Sequence, residues 1–173
     1  GGPAGPGEVA TFYHPSGIAV DRRGAVYVTE LWDDRVRKLT PVGGGGWVVS
    51  TVVAAGLNRP QGIAVDPAGH LVVADNGHHR VVRVDPAIGE LTVIAGDGIK
   101  GFRDGPGAIA RFDYPRSVAV DGRGDIFVAD ATGHRVRRIS AVDRAVTTVA
   151  GSRVAGSADG PGTVAQFIMP RTV

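Results

Sequence analysis

The chain has 173 residues, of which 43% are hydrophobic and 21% are charged, and its formal net charge is +2. Glycine and proline together make up about 22% of it, below the roughly 25–30% typical of low-complexity chains, so we expect an ordered core. The absence of cysteine excludes disulfides, thiolate metal sites and a cysteine nucleophile. Because no apolar run reaches about 18 residues, the sequence predicts no membrane insertion.

Three similar segments recur along the chain, each directly after a proline. They read SGIAVDRRGAVYVTE after Pro15, QGIAVDPAGHLVVAD after Pro60 and RSVAVDGRGDIFVAD after Pro115, and a fourth copy starts after Pro170. A second block, AGPGEVATFYHP, DGPGAIARFDYP and DGPGTVAQFIMP, ends at Pro15, Pro115 and Pro170 but is missing before Pro60. The shorter first interval, 45 residues against 55, therefore reflects a missing insertion.

Each unit is predicted to contain four short antiparallel strands. A Gly-Ile-Ala-Val-Asp run leads into an Asp-x-x-Gly turn, whose glycine supplies a positive φ, and a second Val-rich run follows. The third run begins at Arg35, Arg80 and Arg135, and a fourth ends the unit. Four-stranded meanders at this spacing are typical of β-propeller blades, so the sequence predicts an all-β propeller.

The repeated unit resembles the NHL repeat. The likeness rests on the cycle Pro-x-Gly-Ile-Ala-Val-Asp-x-x-Gly, Val-Ala-Asp, His-Arg-Val and Thr-Val-Ala-Gly, and the Asp-Gly-Pro-Gly block is similar to the long-loop form of that repeat. The predicted complete blades cover residues 16–55, 61–96 and 116–151, a fourth starts at 170–173, and the long loops are 1–15, 97–115 and 152–169. Closed rings typically need 4 to 8 blades. We therefore expect part of a ring, of roughly six blades as the family implies, completed by further blades of the same chain or by a second copy.

Candidate functional residues fall in the loops at one end of this predicted ring. The loop between the second and third strands of a blade shares that end with the connection to the next blade, and long loops on a rigid scaffold are where binding usually resides. At this end the first blade carries Trp32, Asp33 and Asp34, which break the repeat pattern. A tryptophan beside two carboxylates predicts a partner contact, the alternative being that Trp32 packs on a neighbouring loop.

Arginines suggest a second candidate surface. Arg103, Arg111 and Arg116 lie in or just after a long loop, and with Arg171 they are expected to form a basic rim at the same end. Such a rim would bind phosphates with a steep salt dependence, and some NHL propellers bind RNA. The small net charge instead favours a protein or peptide ligand, with RNA as an alternative.

Histidines and carboxylates raise the alternative of an enzyme. A metal in the central channel would suit a propeller lactonase or lyase. However, His79 and His134 occupy the same place in successive repeats, and Glu30, Asp75 and Asp130 do likewise, each five residues before an arginine with which we expect it to pair. These recurrences indicate structural roles. We therefore expect a non-enzymatic interaction module without catalytic residues, metal or cofactor.

Overall fold

The computed structural model describes residues 5–6 and 10–173, and regular structure in this part is almost entirely β-strand. The first sheet contains β2 (Pro15–Val20), β3 (Val26–Glu30), β4 (Arg35–Pro41) and β5 (Trp47–Val53), and a short strand, β1 (Gly5–Pro6), pairs with β5 at its edge. The second sheet contains β6 (Pro60–Val65), β7 (Leu71–Asp75), β8 (Arg80–Val84) and β9 (Leu91–Ala95). The third contains β10 (Pro115–Val120), β11 (Ile126–Asp130), β12 (Arg135–Ile139) and β13 (Val146–Ala150).

Each sheet is an antiparallel meander whose four main strands pair in chain order. This is the topology predicted for propeller blades, and the all-β class is confirmed. The innermost strand of the second sheet, β6, packs between β2 and β10, so the sheets follow one another around an arc. No helix in the described residues has the length and apolar character needed to cross a membrane.

The first hairpin of every sheet is fixed by an aspartate. Asp21 accepts the backbone N–H of Ala25 at 2.9 Å, while Gly24 adopts a φ of +81° that other residues rarely reach. Asp66 and Asp121 form the same turn in the second and third sheets. The repeated Asp-x-x-Gly pattern therefore sets the register between the first and second strands of a blade.

The core lies between the sheets, and β7 contributes to both of its halves. All residues of β7 are buried, because Leu71 and Val73 face the first sheet while Val72 and Ala74 face the third. Burying each large aliphatic side chain contributes about 1.5–3 kcal/mol. The second sheet is thus the middle layer of the described structure.

Glycines permit the innermost strands to approach closely. A Cβ on Gly62 would lie 2.5 Å from the Cα of Ser117, and one on Gly17 would lie 2.3 Å from the carbonyl oxygen of Gln61. Real Cβ atoms do not tolerate such distances, so a side chain at either position would push neighbouring sheets apart.

The Gly-Pro-Gly block that precedes a blade folds back onto the outermost strand of that same blade. Gly5 pairs with Val49 of β5, and Gly105 forms an isolated bridge with Val146 of β13. The second sheet lacks this block in its sequence, so its meander stands without such an added edge.

A buried arginine holds the returning block in the third sheet. Arg137 is fully buried and donates hydrogen bonds to Asp130 at 3.0 Å and Asp104 at 2.6 Å. It also donates to the carbonyl oxygens of Arg103 and Arg111, each at 3.0 Å. One guanidinium thus donates hydrogen bonds to a buried carboxylate and two loop carbonyls, and an apolar side chain at this position could not do so.

This geometry corrects one pairing expected from the sequence. In the third sheet Asp130 pairs with Arg137, while Arg135 lies over the Phe102 ring with its guanidinium carbon 3.7 Å from the ring centroid. The reason is the insertion, because Phe102 covers this side of the strand and attracts a cation to its π face.

Candidate functional site

The loops between the second and third strands lie against the connections that lead into the blades. Backbone hydrogen bonds join them, from Leu31 to His14, from Gly77 to Asn58 and from Thr132 to Asp113. We call the surface formed by residues 10–14, 31–34, 56–59, 76–79, 97–114 and 131–134 the long-loop face. The candidate residues Trp32, Asp33, Asp34, Arg103 and Arg111 lie on it.

Buried carboxylates hold this face together. Glu30, Asp75 and Asp130 accept backbone N–H groups of Tyr13, Asn58 and Asp113 at 2.6, 2.7 and 2.6 Å. Glu30 and Asp75 also pair with the arginine five residues on, as expected from the sequence. Burial raises the pKa of Asp130 to about 6, although Arg137 and the backbone N–H work in the opposite direction.

A second recurring contact joins consecutive blades, and we call it the inter-blade latch. In each latch a side chain before the third strand accepts the backbone N–H of the residue before the next blade's proline, and both residues have left-handed backbone conformations. The pairs are Asp34 with Arg59 at 2.6 Å, His79 with Tyr114 at 3.4 Å and His134 with Met169 at 3.1 Å. The recurring histidines therefore have the structural role that the repeat pattern indicates.

The two histidine latches require an unprotonated acceptor nitrogen. Nδ1 of His79 can accept the Tyr114 N–H only in the neutral ring, and the Tyr114 side chain packs edge-on against the same imidazole at 4.5 Å. Burial lowers the pKa of His79, with help from the charge of Lys100 and against the opposing charge of Asp113.

Trp32 remains exposed at the centre of an aromatic patch. Its residue surface is 51% accessible, and its ring contacts the His14 ring edge-on at 5.8 Å and lies 4.9 Å from the Arg59 guanidinium. Tyr13, which is 52% exposed, extends the patch through His14. We define the aromatic patch as Tyr13, His14, Trp32 and Arg59. Trp32 does contact neighbouring loops, but they leave half of it open to solvent.

The two carboxylates beside Trp32 are engaged within the protein. Asp33 forms an ion pair with Arg35 at 3.0 Å, and Asp34 is the acceptor of the first latch. They position the loop that carries Trp32, which leaves the indole as the exposed feature of this predicted cluster.

The predicted basic rim is divided between two places. Arg103 and Arg111 form a bridge within the long loop, where Arg103 is exposed and Arg111 pairs with Asp97 at 2.7 Å. Arg116 instead belongs to β10 and lines a pocket at the inner ends of the blades, together with Arg171. The structure therefore does not bring the four arginines together.

This pocket, which we call the channel mouth, was missed in the sequence analysis. It has a volume of about 330 Å³ and is lined by the residues that follow each repeat proline, namely Ser16, Gln61, Arg116 and Arg171, with their neighbours. Its sequence signal is the position directly after each repeat proline, which changes between serine, glutamine and arginine, whereas the next two positions keep a small residue and then isoleucine or valine. Variation at one place in a repeat marks a surface that the scaffold does not dictate.

No three histidine or carboxylate side chains converge in a way that could hold a metal ion within residues 5–6 and 10–173. The histidines have local partners instead. His78 lies 3.0 Å from Asp75 and His70 lies 3.6 Å from Asp66.

Comparisons with known sequences give short but specific matches. The family model described as NHL repeat matches residues 57–84 and 112–139. NHL repeat-containing protein 2 of Gallus gallus is 38% identical over 82 residues, which cover 47% of this chain and 11% of that protein. Protein SUPPRESSOR OF QUENCHING 1, chloroplastic, of Arabidopsis thaliana is 32% identical over 65 residues, covering 38% and 6%. The chain thus spans only a small part of these relatives.

Comparisons with solved structures extend over most of the chain. An auxiliary nutrient binding protein from Bacteroides ovatus superposes with a TM-score of 0.76 at 23% identity, over 94% of this chain and 43% of that one. A gluconolactonase from Xanthomonas campestris gives 0.63 at 19%, over 81% and 48%. A chain of a nidogen/laminin complex gives 0.62 at 20%, over 84% and 52%. At these identities the likeness shows the fold, which is that of β-propeller proteins.

Proposed function

Since this chain is built of NHL repeats and has a β-propeller fold, we propose that it is a non-enzymatic binding module for a protein or peptide ligand. The observation that carries the proposal is the aromatic patch. Trp32 and Tyr13 are each about half exposed, whereas the neighbouring Asp33 and Asp34 are held by an ion pair and a hydrogen bond within the protein.

The patch has the properties of an interface centre. Exposed tryptophan, tyrosine and arginine side chains are the residues most enriched at binding hot spots. Their rings are already held by mutual contacts and by the latch of Asp34 with Arg59, so binding would cost little additional side-chain entropy. A preorganised aromatic surface on a rigid scaffold suits an extended or loop segment of another protein.

The arginines support a protein ligand better than RNA. Arg37 and Arg137 are buried, and Arg111 is paired with Asp97. Their charges are offset within the protein, which leaves few cations on the long-loop face to contact a phosphate backbone. RNA binding would require a continuous basic surface. Besides Arg103, the exposed cations of the described long-loop face are Arg59, whose guanidinium lies over the Trp32 ring, and Lys100, which lies 3.8 Å from Asp113.

Remaining apolar surface supports the completion of the ring by other blades, from the same chain or a second copy. Ile18 and Val20 of β2 are 69% and 58% exposed, whereas Ile63, at the matching position of β6, is buried against a neighbour. In a closed ring these side chains would be covered as Ile63 is.

The two tryptophans allow a matched test. Peptides selected from a displayed random library against the protein should bind the Trp32→Ala variant at least about tenfold more weakly, since hot-spot truncations cost about 2 kcal/mol or more. Trp47→Ala is the control, because Trp47 is 39% exposed but starts β5, outside the long-loop face. Equal weakening by both substitutions, or by neither, would reject the aromatic patch as the binding surface.

A further inference from the structure

The channel mouth is a concave surface, separate from the aromatic patch. Its volume of about 330 Å³ is at the lower end of the range of small-molecule sites. The lining consists of the first residues of the innermost strands and the corresponding residues at the fourth repeat proline, among them Ser16, Gln61, Arg116, Ser117, Arg171 and Thr172. One small ligand would therefore meet residues from all four repeats.

The charged residues that line this pocket are all positive. Its lining includes two arginines and no acidic residue. Ion pairs in the described part of the chain involve other arginines, such as Arg111 with Asp97, and neither Arg116 nor Arg171 takes part in one. Hydroxyl groups of Ser16, Ser117 and Thr172 supply further hydrogen-bond donors.

The opposite end of the inner strands provides a contrast. The pocket there has a volume of about 820 Å³, and its arginine and lysine residues are mixed with acids. Its charged lining residues are Asp21, Arg22, Arg23, Lys38, Asp66 and Asp121. Positive charge without acids is thus a property of the channel mouth and not of inner strand ends in general.

Arg116 is held in place by the neighbouring blade. Its Nε donates to Oε1 of Gln61 at 2.9 Å, while the backbone carbonyl of Gln61 accepts a hydrogen bond from Thr29 at 2.5 Å. This contact uses one edge of the guanidinium and leaves the two Nη groups for a ligand. A guanidinium with a fixed orientation binds a planar or tetrahedral oxyanion with two parallel hydrogen bonds.

We propose that the channel mouth binds the carboxylate or phosphate group of a small ligand, with Arg116 and Arg171 as the anion-binding residues and Gln61 as the residue that positions Arg116. The inference goes beyond the proposed function, which concerns Trp32 and a macromolecular ligand. Carboxylate and phosphate share the required chemistry, and the experiment separates them.

The test is calorimetric titration of the whole protein with inorganic phosphate and, separately, with succinate. We expect saturable binding of at least one probe, and the tighter of the two identifies the class of ligand. Arg116→Gln and Arg171→Gln should each weaken binding by about 10- to 100-fold, because a hydrogen bond to a charged group is worth about that factor. Arg116→Lys, which keeps the charge but loses the fork, should give an intermediate loss.

Two controls make the outcome decisive. Arg22→Gln removes the same charge at the opposite end and should leave binding unchanged, and so should Trp32→Ala. If neither probe saturates, or if Arg22→Gln weakens binding as much as Arg116→Gln, the site is rejected. If Trp32→Ala loses its peptides but keeps phosphate or succinate binding, the two surfaces are independent, so either proposal can fail without the other.

Discussion

The second and third sheets follow the same strand pattern but are built differently at one matching position. Val82 of β8 lies in the apolar core, whereas Arg137 of β12 carries a buried charge that binds Asp130 and the returning loop. The difference coincides with the insertion, which precedes the third sheet and is missing before the second. The first sheet follows the same rule, because the insertion precedes it and an arginine, Arg37, stands at the matching position.

The comparison shows how one repeat accommodates two loop lengths. A long loop brings backbone carbonyls to the blade, and those groups need donors once they leave water. Arginine at this position supplies the donors in the blades that have the insertion. Valine takes the same position in the blade without it, where no loop carbonyls need a donor. The insertion and the buried arginine therefore form one structural unit.

The largest effect is expected for Arg137→Met, which removes the donor while filling a similar volume. Asp130 would be left as a buried charge without its partner, and two loop carbonyls would lose their donors, so the free energy of unfolding should fall by about 3–5 kcal/mol. Chemical denaturation measures this change. Arg138→Met on the same strand is the control, because the Arg138 side chain is 39% exposed and its ion pair with Asp125 should contribute less than the buried contacts of Arg137.

The same substitution paired with Asp130→Ala tests whether the two residues act together. Since the cost arises from the unpaired carboxylate, the double variant should be less destabilised than the sum of the single variants. Strict additivity would show that Arg137 and Asp130 contribute to stability independently.

A smaller loss is expected for Gly62→Ala in the second sheet. The new Cβ would contact the Cα of Ser117, so packing between the two sheets should cost about 1–3 kcal/mol. Gly122→Ala is the matched control, since no atom lies within 4 Å of a Cβ there. Thermal unfolding of both variants is the measurement, and equal melting temperatures would contradict a tight contact between these strands.

Phe102→Ala tests how much the packing of the insertion on the third sheet contributes to the free energy of unfolding. The ring lies 3.7 Å from the guanidinium of Arg135 and 4.7 Å from that of Arg137, and cation–π contacts of this kind contribute about 1 kcal/mol. We expect a loss of about that size in chemical denaturation. Ile109→Ala, in the same loop and 42% exposed, should have a smaller effect. A larger loss from Ile109→Ala would show that Phe102 is only a surface residue.

The smallest effect concerns the latches, where the second sheet uses His79 and the first uses Asp34. Because burial lowers the native pKa of His79 below 6.5, its stabilising contribution is complete above pH 6.5 and is lost as pH falls through the native pKa. His79→Asp keeps an acceptor for the Tyr114 N–H and tolerates the left-handed backbone. The variant should therefore lose less stability than the parent between pH 7 and about 5.5.

Asp130 titrates in the same interval with the opposite sign. Its native pKa is raised to about 6, so the stabilisation from its protonated form is full below 3.8 and is lost as pH rises through about 6. The pH profile of His79→Asp must therefore be compared with that of the parent, in which Asp130 contributes equally. Identical profiles would show that the His79 ring does not control the second latch.

The strands and their order could be predicted because the repeat displays them three times. Proline starts, Asp-x-x-Gly turns and Val-rich runs are local signals, and they are enough to define a meander. The partner of Asp130 could not be predicted, since strand alternation places Arg135 and Arg137 on one side and only the folded insertion decides between them. Likewise, Arg116 and Arg103 are close in sequence but belong to an inner strand and an outer loop.

Only part of the aromatic patch could be predicted from the repeat pattern. Trp32 interrupts a repeat and is visible as an exception, whereas Tyr13 and His14 join it only because residues before the repeat prolines adopt left-handed conformations. Contacts that depend on such backbone geometry carry no signal in residue type. The channel mouth likewise exists only when all four repeat starts are assembled.

The returning insertion also sets an order for folding. Asp104 is synthesised before the blade that it completes. Its partners in that blade are Arg137, 33 residues later, and Thr148, 44 residues later. The second sheet forms from contacts within one short meander, whereas the third blade reaches its final state only after β13 is available. Residues 97–111 can therefore complete their contacts with this blade only after β12 and β13 have been synthesised.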